Sequence, residues 1–317
     1  MTISTECSVL FRPDSSELRF LPEGPYSLTD GRISWVAIQH GGDSVVGSIN
    51  ILDPGAGVNQ SHELPGRPGF AFSTSQPGVF VAGVERSVGL FDTNTGGWTE
   101  LCGGVDSGVE DTIINDGVLY RDNLIFGCKD LKFEDKKAGL YLWRSRDRSL
   151  IQLRDDQICS NGKAVVPQKD DSLVLIDIDS PSKTITRSSL DIESGTMGQP
   201  STVVDLTSEL IFPDGMIVTP DGHSLIVAFY DPGDPEFGVA RQYSLDSGAL
   251  QAVWTCPGSP RVTCPQLVRI DGQVQLLLTT AVEHMEPEQQ QRHPNAGCLF
   301  IGGTTFDAVS DQPVLTV

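Results

Sequence analysis

Apolar residues in this chain fall in short runs rich in Val, Ile, Leu and Phe, bounded by Gly, Pro, Asp and Asn. That is the pattern of β-strands joined by tight turns. No set of apolar positions at i, i+3, i+4, i+7 continues over three turns, so amphipathic helices are not expected. The runs predict strands at Arg32–Ile38 and Gly47–Leu52, then at Phe70–Phe72, Val79–Val84 and Ser87–Asp92 with an edge near Trp98. A third group is Val118–Tyr120, Asn123–Gly127, Gly139–Arg144 and Leu150–Leu153, and a fourth is Ser172–Ile178 and Lys183–Leu190. Ser224–Phe229, Gly238–Leu245 and Leu250–Trp254 follow, and Gln273–Thr280 and Gly297–Gly302 close the series. Ahead of them all, Cys7–Phe11 reads as a single strand.

The punctuation between these groups repeats. An acid or amide precedes glycine at Glu23-Gly24, Asp116-Gly117, Asn161-Gly162 and Asp214-Gly215. Glycines 24, 69, 117, 162 and 215 lie 45 to 53 residues apart, the length of a four-stranded propeller blade. The sixth group, from Cys264-Pro265-Gln266, keeps the strands but lacks the leading glycine. The predicted fold is all-β, a six-bladed β-propeller of four-stranded blades. It forms one domain over residues 1–317, with residues 1–20 as an accessory or ring-closing strand. There is no WD dipeptide and the Gly-Gly pairs are irregular, so the WD40 and kelch repeat classes do not apply.

Composition narrows the partners. With 42 acidic against 22 basic residues the formal charge is −20, a field that repels nucleic acid and anionic lipid. Most of these carboxylates serve a soluble surface. The first 25 residues lack the basic start and apolar middle of a signal peptide, and no apolar run reaches the roughly 18 residues of a membrane span. A cytoplasmic protein is expected, with no nucleic-acid or membrane partner. Seven cysteines without CxxC spacing suggest neither a zinc site nor a disulfide framework.

The repeat itself carries the candidate chemistry. In a propeller the first strand of each blade lines the central channel, so Glu23, Asn115 or Asp116, Asn161 and Asp214 are expected to converge from separate blades. Each taken singly is an ordinary turn former before glycine. As a set at blade period they would repel one another and strand polar groups unless a cation satisfied them. Carboxylate and amide oxygens favour Ca²⁺, Mg²⁺ or Mn²⁺ over a structural zinc.

Six stretches then carry a family resemblance, in order along Glu23 to Phe300. They are LPEGPY (Leu21–Tyr26), INDG (Ile114–Gly117), SNGKAV (Ser160–Val165), DSPSKTITRSSLD (Asp179–Asp191), PDGMIVTPDG (Pro213–Gly222), and LLTTAVEHMEPE with the HPNAGCLF after it (Leu277–Phe300). Together they resemble the SMP-30/gluconolactonase/luciferin-regenerating enzyme family. The resemblance implies a six-bladed propeller with one divalent cation, opening sugar lactones in many members and hydrolysing phosphofluoridates or related esters in some. It implies Glu23, Asn161 and Asp214 as metal ligands, Asp214 also as general base, and Asn115 as a residue binding substrate or a metal-bound water. Calcium is the expected ion, with Zn²⁺, Mg²⁺ and Mn²⁺ also known in the family.

Two positions depart from the pattern. Ile113 stands where gluconolactonase-like members commonly carry Arg, which removes a donor for sugar hydroxyls or carboxylate. Lys163 follows the NG pair where Leu or Ile is usual and adds a cation, expected to bind substrate. The alternatives to a metal-dependent lactonase are a metal-stabilised ligand-binding or regulatory propeller without turnover, and a phosphotriesterase-like hydrolase. Elsewhere, Lys129–Lys137 and Asp231–Glu236 read as solvated loops, and the polar insertion His284–His293 as a lid or rim loop.

Overall fold

The structure, a computed structural model, describes residues 2–310 and 312–317. Met1, where the expected accessory segment begins, lies outside the described residues, as does Asp311. The described residues form six sheets of a six-bladed β-propeller, and the chain divides into two compact units. Met1–Arg67 with Leu210–Gln312 is the first unit, and Pro68–Glu209 with Pro313–Val317 the second.

The second unit holds three consecutive sheets, each antiparallel and in chain order. Blade 2 is Pro68–Ser73, Val79–Val84, Ser87–Asp92 and Gly97–Cys102. Blade 3 is Thr112–Tyr120, Asn123–Asp130, Ala138–Arg144 and Ser149–Gln157. Blade 4 runs Ser160–Pro167, Leu173–Asp179 and Thr184–Asp191, and its outer edge is split between Thr196–Met197 and Ser201–Asp205, both paired to the third strand.

The first unit holds the other three. Blade 1 is Pro22–Ser27, Ile33–Ala37, Ser48–Asp53 and Val58–Glu63. Blade 5 is Phe212–Val218, Ser224–Tyr230, Phe237–Ser244 and Leu250–Pro257. Blade 6 takes Val262–Ile270, Gln273–Thr280 and Leu299–Gly303 from the end of the chain, and its fourth strand, Ser8–Phe11, from the beginning. The N-terminal stretch is therefore two strands rather than one. Ile3–Glu6 runs parallel to Leu250–Pro257 as a fifth strand of blade 5, and Cys7 turns the chain from one sheet to the next.

Burial follows the strand's place in its blade. Ile33–Ala37 is buried at every residue, whereas Val58–Glu63 at the outer edge is mostly exposed. Middle strands are covered on both faces and so read as continuous apolar runs, which is why they were the easiest to place from sequence. Trp35, Ile33 and Leu52 of blade 1 pack with Val268, Leu277 and Leu299 of blade 6. In the second unit Ile125, Leu140 and Leu142 of blade 3 meet Leu175 and Leu190 of blade 4.

The inner strands differ from the expected pattern. Each of the six carries a β-bulge, one residue more than its neighbour over the same span. Pairing breaks between Glu23 and Tyr26, Pro68 and Phe70, Ile114 and Gly117, Ser160 and Lys163, Pro213 and Met216, and Val262 and Pro265. The acid- and amide-glycine pairs thus lie inside the inner strands rather than ahead of them. A bulge frees one residue from the ladder and re-aims its side chain.

Two loops differ as well. In the charged loop, Asp130 is fully buried and accepts the backbone N–H groups of Lys132, Glu134 and Asp135 at 3.2, 3.0 and 2.9 Å. Burial pushes its pKa up, but those N–H groups and Lys137 outweigh it and hold the carboxyl well below the usual range. Residues 231–236 form the seat of the insertion. Arg292 and His293, at the end of the short helix Pro287–Arg292, both engage Asp234, at 2.6 and 2.5 Å, and Gln289 Nε2 donates to Gly233 O at 2.8 Å.

Gly69 marks how closely two inner strands approach. A Cβ there would stand 1.8 Å from the Asn115 carbonyl oxygen. Gly69→Ala is expected to lower the unfolding free energy in urea by about 3 kcal/mol. Gly303→Ala, whose Cβ meets nothing within 4 Å, should stay within about 0.5 kcal/mol of wild type. Equal stabilities for the two variants would contradict this packing.

Candidate functional site

In the first unit the inner strands of blades 5, 6 and 1 carry Asp214, the pair Thr263-Cys264, and Glu23. Asp214 and Glu23 are each 8% exposed. Gly215 sits against the blade 6 bulge, where a Cβ would come 2.8 Å from the Thr263 carbonyl and 2.7 Å from the Cys264 sulfur. On the other side Thr263 Oγ1 donates to Pro22 O at 2.6 Å and stands 2.8 Å from Thr279 Oγ1. The blade 6 bulge therefore packs between the strands that carry the two carboxylates. Gly24 follows Glu23 for a different reason. Its φ of +50° requires the left-handed region, and its N–H donates to Glu23 Oε2 at 3.1 Å.

In the second unit the inner strands of blades 3 and 4 bring together Asn115, Asp116, Asn161 and Lys163. Asn115 and Asn161 are 6% and 7% exposed. Asn115 Nδ2 donates to Ser160 O at 2.9 Å, tying one bulge to the next. Asn161 Nδ2 donates to Ser180 Oγ at 3.1 Å, which leaves its amide oxygen as the ligand-type atom. Gly117 N–H donates to Asp116 Oδ1 at 2.7 Å, and burial pushes the Asp116 carboxyl up against the pull of Lys163 and that N–H.

Lys163 is the unusual member. Its side chain is fully buried, and its ammonium donates to the carbonyls of Asn161 and Asp116. Asp177 Oδ1 lies 3.9 Å away, and Gln157 Nε2 donates to Asp177 Oδ2 at 2.5 Å. Burial lifts Asp177 to about 6 even though Lys163, Gln157 and Arg154 pull the other way. Asp177 was not singled out from sequence, because LVLID reads as one more blade strand. Ile113 is buried and pairs with Lys129. Among the described residues no three or more His, Cys, Asp or Glu side chains cluster in a metal-holding arrangement, and no two cysteines form a disulfide. Among the described residues no helix is long and apolar enough to cross a membrane.

Comparison with known proteins bears on the motifs at these bulges. The profile of the SMP-30/Gluconolactonase/LRE-like region matches residues 21–282. The chain belongs to this family. The chain is 27% identical over 174 residues to the Bacillus subtilis (strain 168) protein named "Putative sugar lactone lactonase YvrE". That alignment covers 55% of this chain and 56% of YvrE, so the chain matches little more than half the length of this curated relative. Among solved structures, the calcium-binding protein regucalcin from Agrobacterium tumefaciens C58 superposes with a TM-score of 0.82 at 21% identity, over 100% of both chains. A luciferin-regenerating enzyme superposes at 0.77 and 16% identity, over 93% of this chain and 95% of the other. At these identities the structures share the propeller fold.

The raised pKa of Asp177 fixes the sign of a pH effect. Between about pH 4 and 6 the folded chain holds a proton that the unfolded chain has released, so stability falls as pH rises through that window. Asp177→Asn removes the difference. The slope of unfolding free energy against pH should become less negative by up to about 1.4 kcal/mol per pH unit in the variant. Identical slopes in urea titrations of the two proteins would show that Asp177 does not titrate there.

Proposed function

We propose that the chain is a metal-dependent lactonase that opens a small sugar lactone in the cytoplasm, with Glu23, Asn161 and Asp214 as ligands of one divalent cation, calcium first among them. The observation that carries this reading is the chemistry of the bulges. Oxygen-bearing side chains stand there in blades 1, 4 and 5, each nearly buried, within the motifs the family profile matches. Buried carboxylate and amide oxygens fit a hard cation, which takes oxygen ligands of these types.

When bound, the cation supplies Lewis-acid polarisation of the ester carbonyl. The Asp214 carboxylate takes a proton from the attacking water as the carbonyl carbon is attacked. Asn115, fixed by its donation to Ser160 O, orients the lactone through its amide oxygen. Lys163 serves the substrate side of the site through the two carbonyls it holds, those of Asn161 and Asp116, which set where the inner strands of blades 3 and 4 present their side chains.

A second reading is favoured by Ile113, which gives no donor to a sugar acid: a cation that staples the blades of a binding propeller without turnover. Hydrolysis of aldonolactones with and without chelator separates the two, since the staple predicts only chelator-induced melting. A fluorophosphonate in the same assay reports phosphotriesterase-like activity. Asp214→Ala is expected to abolish calcium binding and to cut turnover by on the order of 1000-fold. Asn115→Ala should reduce turnover while calorimetry still finds the cation bound. Full activity in Asp214→Ala would reject the assignment.

A further inference from the structure

Arg261 immediately precedes the inner strand of blade 6, two residues ahead of the Thr263-Cys264 bulge, and is 2% exposed. Its Nη2 makes two contacts, both with the insertion: the carbonyl of His284 at 3.2 Å and Oε1 of Gln289 at 3.4 Å. Its Nε and Nη1 are buried and have no hydrogen-bond partner among the described residues. No carboxylate of the described residues pairs with it. What it has is the face of Tyr230, 5.4 Å from the guanidinium carbon to the ring centroid.

A guanidinium that is always charged, removed from water and left with free donors is among the costliest groups a core can hold. Such a group calls for an anion. Its surroundings limit which one. Tyr230 OH donates to the Glu283 carbonyl at 3.0 Å. Burial raises the Tyr230 pKa well above its ordinary value; the charges of Glu283 and Asp214 add to this, and Arg261 opposes it. Tyr230 thus touches both the guanidinium and the segment that leads into the insertion. With two acids in the same field, a singly charged oxyanion is favoured over a dianionic phosphate.

We infer that Arg261 is the anion-recognition residue of the first unit and binds the carboxylate of a small organic acid. Its free Nη1–H donates to one carboxylate oxygen, while Nη2 stays with the insertion that covers it; Nε–H points along another edge of the guanidinium. The lactonase reading enters only in the choice of probe. A carboxylate reaches such a site either as a second acid group already on the lactone or as the product of ring opening.

Calorimetric titration at constant ionic strength tests the inference. The probes are sodium D-gluconate and D-glucitol, its neutral relative of the same carbon skeleton, on wild type, Arg261→Met and Arg261→Lys. Wild type should bind gluconate at least about tenfold tighter than glucitol, the effect of a charged hydrogen bond. Arg261→Met should lose that preference and Arg261→Lys should retain part of it. Unchanged gluconate affinity in Arg261→Met, or no preference in wild type, overturns the inference and leaves Arg261 as a strut for the insertion.

Gln289→Ala, which keeps the guanidinium, covers the case in which Arg261→Met does not fold. Preference for gluconate should survive in it, and loss would place recognition in the insertion instead. Kinetics distinguish the two sources of the carboxylate. If it belongs to the substrate, Arg261→Met raises KM for the γ-lactone of D-glucaric acid and spares the neutral γ-lactone of D-galactonic acid. If it belongs to the product, both KM values hold and inhibition by gluconate weakens. A wild type that binds gluconate but opens neither lactone keeps the Arg261 site and removes the lactonase reading.

Discussion

One extra residue in each inner strand is the constraint on which the rest of this molecule depends. A regular inner strand would alternate its side chains between two packed faces and give no place to a buried acid or amide. The bulge breaks that alternation, so Glu23, Asn115, Asn161 and Asp214 sit within or beside a break in pairing inside otherwise regular sheets. The glycines around them answer to three separate demands. Gly24 supplies a left-handed φ, Gly117 makes room for the Phe70 ring, and Gly69 and Gly215 let one strand's backbone lie on the next. The same repeat that builds the sheets therefore also builds the positions proposed for function.

Buried charge is the second consequence. Every buried charge must be compensated, and the two units do so in different ways. Around Lys163 the compensation is internal, from two backbone carbonyls, Asp177 and Gln157. Asp130 is satisfied by a loop that wraps its N–H groups around the carboxylate. Around Arg261 part of the compensation is missing, since Nε and Nη1 have no hydrogen-bond partner among the described residues. A buried charge that is fully partnered stabilises a local geometry, whereas one that is not asks for something from outside.

The sheets were legible because their middle strands are covered on both faces and their turns need Gly, Asp and Pro. Val79–Val84, Ser87–Asp92 and Gln273–Thr280 were placed to the residue. The inner strands were read too short: Thr112–Tyr120 was expected only from Val118, since INDG has the composition of a turn and nothing local reveals a bulge. Closure was expected only as one of two roles for residues 1–20, because the pairing of Ser8–Phe11 spans nearly the whole chain and no window of sequence contains it. The split outer edge of blade 4 was missed because exposed strands carry little apolar signal. Family and motif residues were legible from six ordered stretches. Arg261 and Asp177 were not, because each lies in a run that reads as plain strand and becomes conspicuous only through burial and partners.

The central claim is that Glu23, Asn161 and Asp214 hold one cation. Anomalous diffraction from crystals grown with manganese in place of calcium tests it most directly. The account predicts a single strong anomalous peak bonded to a carboxylate oxygen of Glu23, a carboxylate oxygen of Asp214 and the amide oxygen of Asn161. A peak bonded to other residues, with these three left without metal at saturating manganese, would contradict it.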